Sequence, residues 1–155
     1  MAVDYFLKID GIEGESQDAQ HKGEIELEGF SWGEAQSAAG GGAGKVTMQP
    51  FNFVKTSKAS PQLFLACAGG QHLKSARLTA RKSGKNGHTF LRWTLADVVV
   101  AAYEISALEG GDDLPRDQAS LSFAKIQVEY IPQKPDGSSD TPVEAGWDVK
   151  ANKKI

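Results

Sequence analysis

The stretch Arg77–Leu108, RLTARKSGKNGHTFLRWTLADVVVAAYEISAL, has the clearest strand signals in the chain. Its Asn86-Gly87 pair is a strong hairpin signal, because both residues tolerate the positive φ of a tight type I′ turn. The segments RLTARK and HTFLRWTLAD on either side of this turn are predicted to be strands. The next segment, DVVVAAYEISAL, is predicted to be a further strand that is buried on both faces over part of its length. The stretch therefore indicates antiparallel β-structure.

Alternating apolar and polar residues continue this pattern on both sides of the stretch. In VDYFLKI, every second residue from Val3 to Ile9 is apolar, which is typical of a half-buried strand. Phe6 interrupts the polar face, which indicates that this side is covered too. In EIELEGFSW the apolar phase slips by one after Gly29, and such a slip indicates a bulge or a sharp bend. Further strands are predicted in KVTMQPFNFV, SLSFAKIQVEYI and GWDVKANKKI.

One helix is predicted, at about residues 60–69, on its capping signals. Ser60 can cap the first turn, Pro61 suits the first helical position, and Gly69-Gly70 ends the helix. The intervening QLFLACA is apolar nearly all round, so the helix is expected to pack between a sheet and something else.

Short strands with a single flanking helix predict a mainly β fold, either a compact β-barrel or a sandwich. The Pro/Ser/Asp loop PQKPDGSSDTP is too short to separate two units. Residues 1–155 are therefore predicted to form one domain.

The composition is that of an ordinary globular protein, with 155 residues of which 40% are hydrophobic and 24% charged. A disordered chain would have fewer apolar residues and a larger net charge. The net charge of −3 argues against a nucleic-acid partner, which would usually require a strongly basic face. The single cysteine, Cys67, excludes an internal disulfide framework, and its apolar surroundings favour a buried small hydrophobe over a reactive thiol.

Neither a signal peptide nor a membrane span is predicted. The N-terminal MAVDYFLKIDG lacks a basic region followed by an apolar one. No apolar run is long enough to cross a bilayer. The chain is therefore expected to be made as a soluble cytoplasmic protein, and any export must use a route other than a cleaved signal.

The run Ala38–Lys45, AAGGGAGK, comes closest to a phosphate-binding loop. Such a loop requires G-x-x-x-x-G-K-[ST] between a strand and a helix, because its backbone N–H groups hold phosphate and its hydroxyl binds Mg²⁺. Here Ala39 takes the place of the first glycine, Val46 takes the place of the hydroxyl residue, and a predicted strand follows. A long surface loop is the better interpretation, and no cofactor is predicted.

No catalytic or metal site is predicted elsewhere. His21, His72 and His88 fall in or beside separate predicted loops without metal-ligand spacing, and they are expected to be solvated. The chain has no G-x-S-x-G nucleophile elbow and no D-x-D-x-D-G calcium loop. These tests favour a protein that is not an enzyme.

Six segments spread over essentially the whole chain, in this order, carry a family resemblance. They are MAVDYFLKIDGIEGES (Met1–Ser16), FSWGEAQS (Phe30–Ser37), GGGAGKV (Gly40–Val46), SPQLFLACAGGQH (Ser60–His72), AKIQVEYIPQKPDG (Ala124–Gly137) and GWDVKANKK (Gly146–Lys154). Any one segment is a weak signal, whereas the ordered set is specific. Together they resemble the Hcp family, whose members form the inner tube of the bacterial type VI secretion machine.

The resemblance implies a compact β-barrel with a helix on its flank and a protruding glycine-rich loop. It also implies that copies of the chain form hexameric rings, that the rings stack into a hollow tube, and that a contractile sheath expels this tube with effector proteins in its lumen. The implied partners are other copies of the chain, effectors, and sheath and spike proteins, without nucleic acid or membrane insertion. The implied location is the cytoplasm before assembly, and then the extracellular space or a target cell.

Candidate contact residues follow from the same resemblance. Ser31, within Phe30–Trp32, is the candidate for the lumen wall that effectors touch, and an ordinary strand serine is the competing interpretation. The glycine-rich run is the candidate for contacts between subunits or between rings, because glycines let a loop lie flat against a neighbouring backbone. Its residues are Ala38, Ala39, Gly40, Gly41, Gly42, Ala43, Gly44 and Lys45.

A second class of function stays open from the residues alone, namely a monomeric ligand-binding β-barrel or a lectin-like module. Such a protein would need an internal pocket with a few converging polar groups. A ring subunit instead needs two different edges that meet head to tail. The oligomeric state and ligand-induced thermal stabilisation distinguish these two classes.

Overall fold

The computed structural model describes residues 2–36, 46–54, 57–84, 87–107, 110 and 115–155. Within these ranges the chain forms one helix and twelve strands. The helix is α1 (Ser60–Ala68), and the strands are β1 (Val3–Ile9), β2 (Ile25–Leu27), β3 (Gly29–Ser31), β4 (Glu34–Gln36), β5 (Val46–Met48), β6 (Phe51–Val54), β7 (His72–Lys82), β8 (Thr89–Ser106), β9 (Arg116–Ser122), β10 (Lys125–Tyr130), β11 (Val143–Asp148) and β12 (Lys153–Lys154).

Strand β8 runs through the middle of the fold and is 18 residues long. Its first part pairs with β7 on one edge and with β10 on the other, whereas its second part pairs with β9. At Asp97, where the partner changes, φ is 55°, a left-handed conformation that Asp tolerates better than most residues. One bent strand therefore spans most of two segments that the sequence predicts as separate strands, HTFLRWTLAD and DVVVAAYEISAL.

The strands form two layers that share β8. The first sheet has the order β12-β11-β10-β8-β7-β1-β2, and the second consists of the C-terminal part of β8 with β9, β6 and β3. Because β2 pairs with β1 and β3 pairs with β6, the chain passes from one sheet to the other at Glu28, next to the predicted phase slip at Gly29. The described strands form a sandwich without closing into a barrel, so the predicted mainly β fold is confirmed in its sandwich form.

The hydrophobic core lies between these two sheets. Cys67 packs against it and is half-buried, so it is less enclosed than the sequence predicts. The largest fully buried side chains are Phe51, Phe53, Leu7, Ile9, Ile25, Leu63, Leu78, Leu121, Val98 and Val100.

Helix α1 forms where the sequence predicts it, but Ser60 has a different role. Ala59 is the N-cap residue and makes no side-chain capping bond, so the prediction that Ser60 caps the helix is wrong. The Ser60 hydroxyl donates instead to the buried carboxylate of Asp117 in β9, which also accepts a hydrogen bond from the Tyr103 hydroxyl at 3.1 Å. Burial, together with the nearby Asp117 charge, raises the pKa of Tyr103. These bonds attach the start of α1 to β8 and β9.

The loop between β1 and β2 covers the outer face of the first sheet. The His21 imidazole stacks on Phe6 with ring centroids 4.3 Å apart, and the Arg81 guanidinium lies 4.9 Å from the same ring centroid. Arg81 also donates two hydrogen bonds to the Asp18 carboxylate, at 3.1 and 2.6 Å. Phe6 is therefore buried, which confirms the prediction that this side of β1 is covered.

The Asp18–Arg81 pair predicts a pH-dependent contribution to stability. Hydrogen bonding to Arg81 lowers the pKa of the Asp18 carboxyl from 3.8 to about 2. Because the folded-state pKa is depressed, the stabilisation is complete well above pH 3.8 and is lost as the pH falls through about 2. We expect Asp18→Asn to lower the free energy of unfolding by about 1 kcal/mol at neutral pH, a value reduced because the carboxylate is partly exposed.

Urea titrations of the natural protein and of Asp18→Asn over a series of pH values measure this difference. The difference in the free energy of unfolding between the two proteins should shrink as the pH falls from 3.8, the ordinary pKa of the carboxyl, to about 2. Asp10→Asn is the control, because Asp10 is exposed and its side chain has no ion pair among the described residues. A difference that stays constant down to the lowest pH would contradict the assignment.

Gly14 lies in the β1–β2 loop, where the loop packs against the backbone at the start of β2. A Cβ at this position would lie 2.4 Å from the Glu24 carbonyl oxygen and 2.7 Å from the Ile25 nitrogen, both of which are backbone atoms. We expect Gly14→Ala to lower the free energy of unfolding by about 3 kcal/mol, because the backbone must move to admit the methyl group. Gly29→Ala is the matched control, since a Cβ added there would have no neighbouring atom within 4 Å. Equal denaturation midpoints for the two variants would contradict this expectation.

Candidate assembly surfaces

The outward side of the second sheet has a row of small, uncharged side chains. Ser31 in β3 pairs with Asn52 in β6, Asn52 with Ser120 in β9, and Ser120 with Ala102 in β8. The Ser120 hydroxyl donates to the Asn52 side-chain carbonyl. We call these four residues the outer row. Ser31 lies at its end and is exposed, whereas its neighbour Phe30 points into the core.

Strands β4 and β5 form a separate two-stranded sheet, which we call the arm. Glu34 pairs with Met48 and Gln36 pairs with Val46, and the Gln49 N–H donates to the Gly33 carbonyl at 3.0 Å. The predicted contact run Ala38–Lys45 connects these two strands but lies outside the described residues. A strand follows Lys45, which agrees with the rejection of a phosphate-binding loop.

The apolar side of the first sheet extends beyond the second sheet. Along one row of paired residues, Leu7 and Leu78 are buried, Trp93 and Val128 are half-buried, and Ala145 is exposed. Side-chain exposure increases along this row because the first sheet has more strands than the second, so its last strands have no strand opposite them among the described residues. We call the end that no described element fully covers the overhang, and it consists of Val128, Tyr130, Val143, Ala145 and Trp147.

The overhang is most exposed at its outer edge. Tyr130 is 50% exposed and Val143 is 67% exposed, although both are large side chains on the apolar side of the sheet. Strand β12 pairs only with Trp147 and Asp148, so the N-terminal part of β11 has no partner on its outer edge among the described residues.

A groove with a volume of about 510 Å³ separates the arm from the overhang. On the arm's side it is lined by Trp32, Val46 and Met48, and Glu34 is the only charged residue among the described residues that line it. The indole N–H groups of Trp32 and Trp147 are buried and have no hydrogen-bond partner among the described residues. Apart from these two N–H groups, Glu34 and Gln36, the described side chains that line the groove are apolar.

Helix α1 presents a second apolar surface. Pro61, Phe64, Leu65 and Ala68 are all exposed and follow the spacing of one helical face, and we call them the α1 ridge. Phe64 is 56% exposed and Leu65 is 68% exposed, and no residue of α1 is charged. The opposite face is buried, so one side of the helix packs on the sheet while the other has no covering element among the described residues.

The histidines differ from the sequence-based expectation. His88 is buried, and its Nε2–H donates to the Ile131 carbonyl at 2.9 Å, so the prediction that it is solvated is wrong. His21 is also largely enclosed and hydrogen-bonds Glu24 at 2.8 Å, whereas His72 is exposed at the start of β7. In the described part of the chain, no three His, Cys, Asp or Glu side chains are placed to hold a metal ion. No described helix is long and apolar enough to cross a membrane.

Comparison with known proteins agrees with this architecture. The family model described as "Type VI secretion system effector, Hcp" matches residues 6–130. The chain belongs to the Hcp family. It is 42% identical to Protein hcp1 of Pseudomonas aeruginosa over 160 residues, with 98% of each chain covered. Its fold is similar to Hcp1 from Salmonella typhimurium, with a TM-score of 0.83, 38% identity and 100% of both chains covered.

A second solved structure, of a type six secretion system protein, has a TM-score of 0.91 at 29% identity and covers 99% of this chain and 100% of its own. Family membership makes this chain a type VI secretion tube protein and implies assembly with other components of that machine. Hcp is a family of secreted structural proteins rather than a family of enzymes.

Sequence reasoning identified the helix and the strand that carries Ser31, but it missed the overhang and the groove. The alternation in SLSFAKIQVEYI correctly places Ile126, Val128 and Tyr130 on one face. Whether that face is covered depends on how many strands the opposite sheet has, which local periodicity does not report. The apolar outer side of QLFLACA was the available signal for the α1 ridge.

Proposed function

We propose that this Hcp protein forms hexameric rings that stack into a hollow tube, and that the tube is secreted with effector proteins in its lumen. The observation that carries the proposal is the pair of uncovered apolar surfaces, the overhang and the α1 ridge. Soluble monomers rarely expose such patches without a partner. A closed ring requires two different surfaces on each subunit, since its contacts are head to tail.

In this proposal residues 1–155 act as a single domain, and the outer row forms part of the lumen wall. Small uncharged side chains give a wall without strong local charge, which suits passage of different cargo proteins. Ser31 is the effector-contact residue, since it is exposed at the end of this row. The run Ala38–Lys45 forms contacts between subunits or rings.

The role is structural, without catalysis or a cofactor. The partners are other copies of this chain, effectors, and the sheath and spike proteins. Neither nucleic acid nor a membrane is a partner. The protein is cytoplasmic before assembly and is then exported through the type VI apparatus.

The mass of the purified protein and negative-stain images test ring formation. We expect a particle with the mass of a hexamer and an open centre, because heterologous contacts between identical subunits close into a ring. A compact monomer throughout the micromolar range would contradict the proposal. It would leave ligand binding as the alternative, which the groove of about 510 Å³ would then favour.

A substitution at Ser31 tests the lumen wall. We expect Ser31→Gln to reduce effector co-purification at least several-fold while the ring stays intact, because the longer side chain projects from an exposed position outside the core. Ala19→Gln is the control, since it enlarges an exposed residue in the β1–β2 loop. Dissociation of the ring by Ser31→Gln would place Ser31 at a subunit contact instead, and unchanged effector binding would remove it from the lumen wall.

A further inference from the structure

We propose that the α1 ridge of one subunit docks against the overhang and groove of the next subunit in the ring. This inference rests on the proposed ring and names the surfaces that form its subunit contact. In this contact, Phe64 and Leu65 of one copy of the chain face the apolar groove and the exposed overhang residues Val143 and Tyr130 of a second copy.

The two surfaces lie on different elements of the subunit, as a head-to-tail contact requires. The ridge is on α1, which is attached to β8 and β9 through Ser60 and Asp117. The overhang is on β10 and β11, at the far end of the first sheet. A surface that paired with itself would produce a two-fold dimer, whereas two different surfaces that pair with each other produce a ring or a filament.

The chemistry of the two surfaces is complementary. The ridge has no charged side chain, and the overhang has none on its apolar side. Among the described residues, the charged ones that flank α1 in sequence are Lys58 before it and Lys74 after it, and the acidic Asp117 that bonds Ser60 is buried. The one described charged residue that lines the groove is Glu34. Lys58 contacts Glu13 at 3.4 Å, but both side chains are largely exposed, so this ion pair is weak and can be exchanged.

The groove can hold large side chains, and its mostly apolar lining offers water few polar partners. Its volume of about 510 Å³ is many times the share of about 30 Å³ that one water occupies in the liquid. A buried water needs two or more polar partners, and the lining is mostly apolar. Burying exposed apolar side chains in the contact is favourable, and those available are Phe64, Leu65, Tyr130 and Val143. Aromatic side chains that fill a pocket often dominate the binding free energy of an interface.

The mixing of two variants tests this pairing directly. Leu65→Asp disables the ridge and leaves the overhang intact, whereas Val143→Asp disables the overhang and leaves the ridge intact. Both residues are about two-thirds exposed, at 68% and 67%, so neither change disturbs the core. Each variant alone is expected to have the mass of one chain. An equimolar mixture is expected to form a heterodimer, because one functional ridge meets one functional overhang and no further contact can form.

Gln20→Asp is the control, since it adds the same charge at an exposed residue outside both surfaces and should leave the ring intact. Unchanged melting temperatures show that the variants are folded. A complete ring in either single variant would overturn the inference, as would homodimers of Leu65→Asp, which would indicate that two overhangs pair. A mixture that stays monomeric at the concentration where the natural protein forms rings would also overturn it. If the natural protein itself is monomeric, the proposed function fails instead.

Discussion

The bend of β8 at Asp97 is the constraint on which the rest of the architecture depends. Before the bend, β8 is a central strand of the first sheet, and after it the same strand belongs to the second sheet. The bend does not break the ladder, because the Ala124 N–H donates to the Ala96 carbonyl at 2.9 Å between the β9 and β10 pairings. The β9–β10 segment therefore bends together with β8, and the two layers are held by continuous backbone hydrogen bonding as well as by core packing.

Sharing a strand between the sheets also makes the layers unequal. The first sheet continues through β10, β11 and β12, while the second ends at β3. The exposure of apolar side chains on the longer sheet thus increases along a row of paired residues, from the buried Leu7 and Leu78 to the exposed Ala145. Helix α1 closes the core beside the second part of β8, while its own outer face has no covering element in the part of the chain that the structure describes. The apolar interior is therefore incomplete among the described residues, which supports the proposed docking of a neighbouring copy.

The outward side of the second sheet has the opposite character. Because side chains alternate along a strand, the residues between Phe51 and Phe53 or beside Phe30 must point away from the core. These positions hold Asn52 and Ser31, which are small and uncharged. One short sheet therefore contributes aromatic rings to the core and small polar side chains to the outside, which is consistent with the proposed lumen wall.

By itself, the sequence predicted most of the segments that form strands, where the helix begins and ends, and which side of several strands is apolar, but it missed β4 and gave SLSFAKIQVEYI as one strand where the structure has β9 and β10. These properties depend on residues close together in the chain, such as the alternation in VDYFLKI or the glycines after QLFLACA. The six ordered segments also identified the family. Only the tertiary structure decided that two predicted strands are one bent β8, that Ser60 bonds Asp117 instead of capping α1, and that His88 is buried. It also decided which apolar faces stay uncovered. The physical reason is that burial and partner choice depend on pairing between distant segments, and a side chain that alternates toward the apolar side is buried only where another layer lies above it.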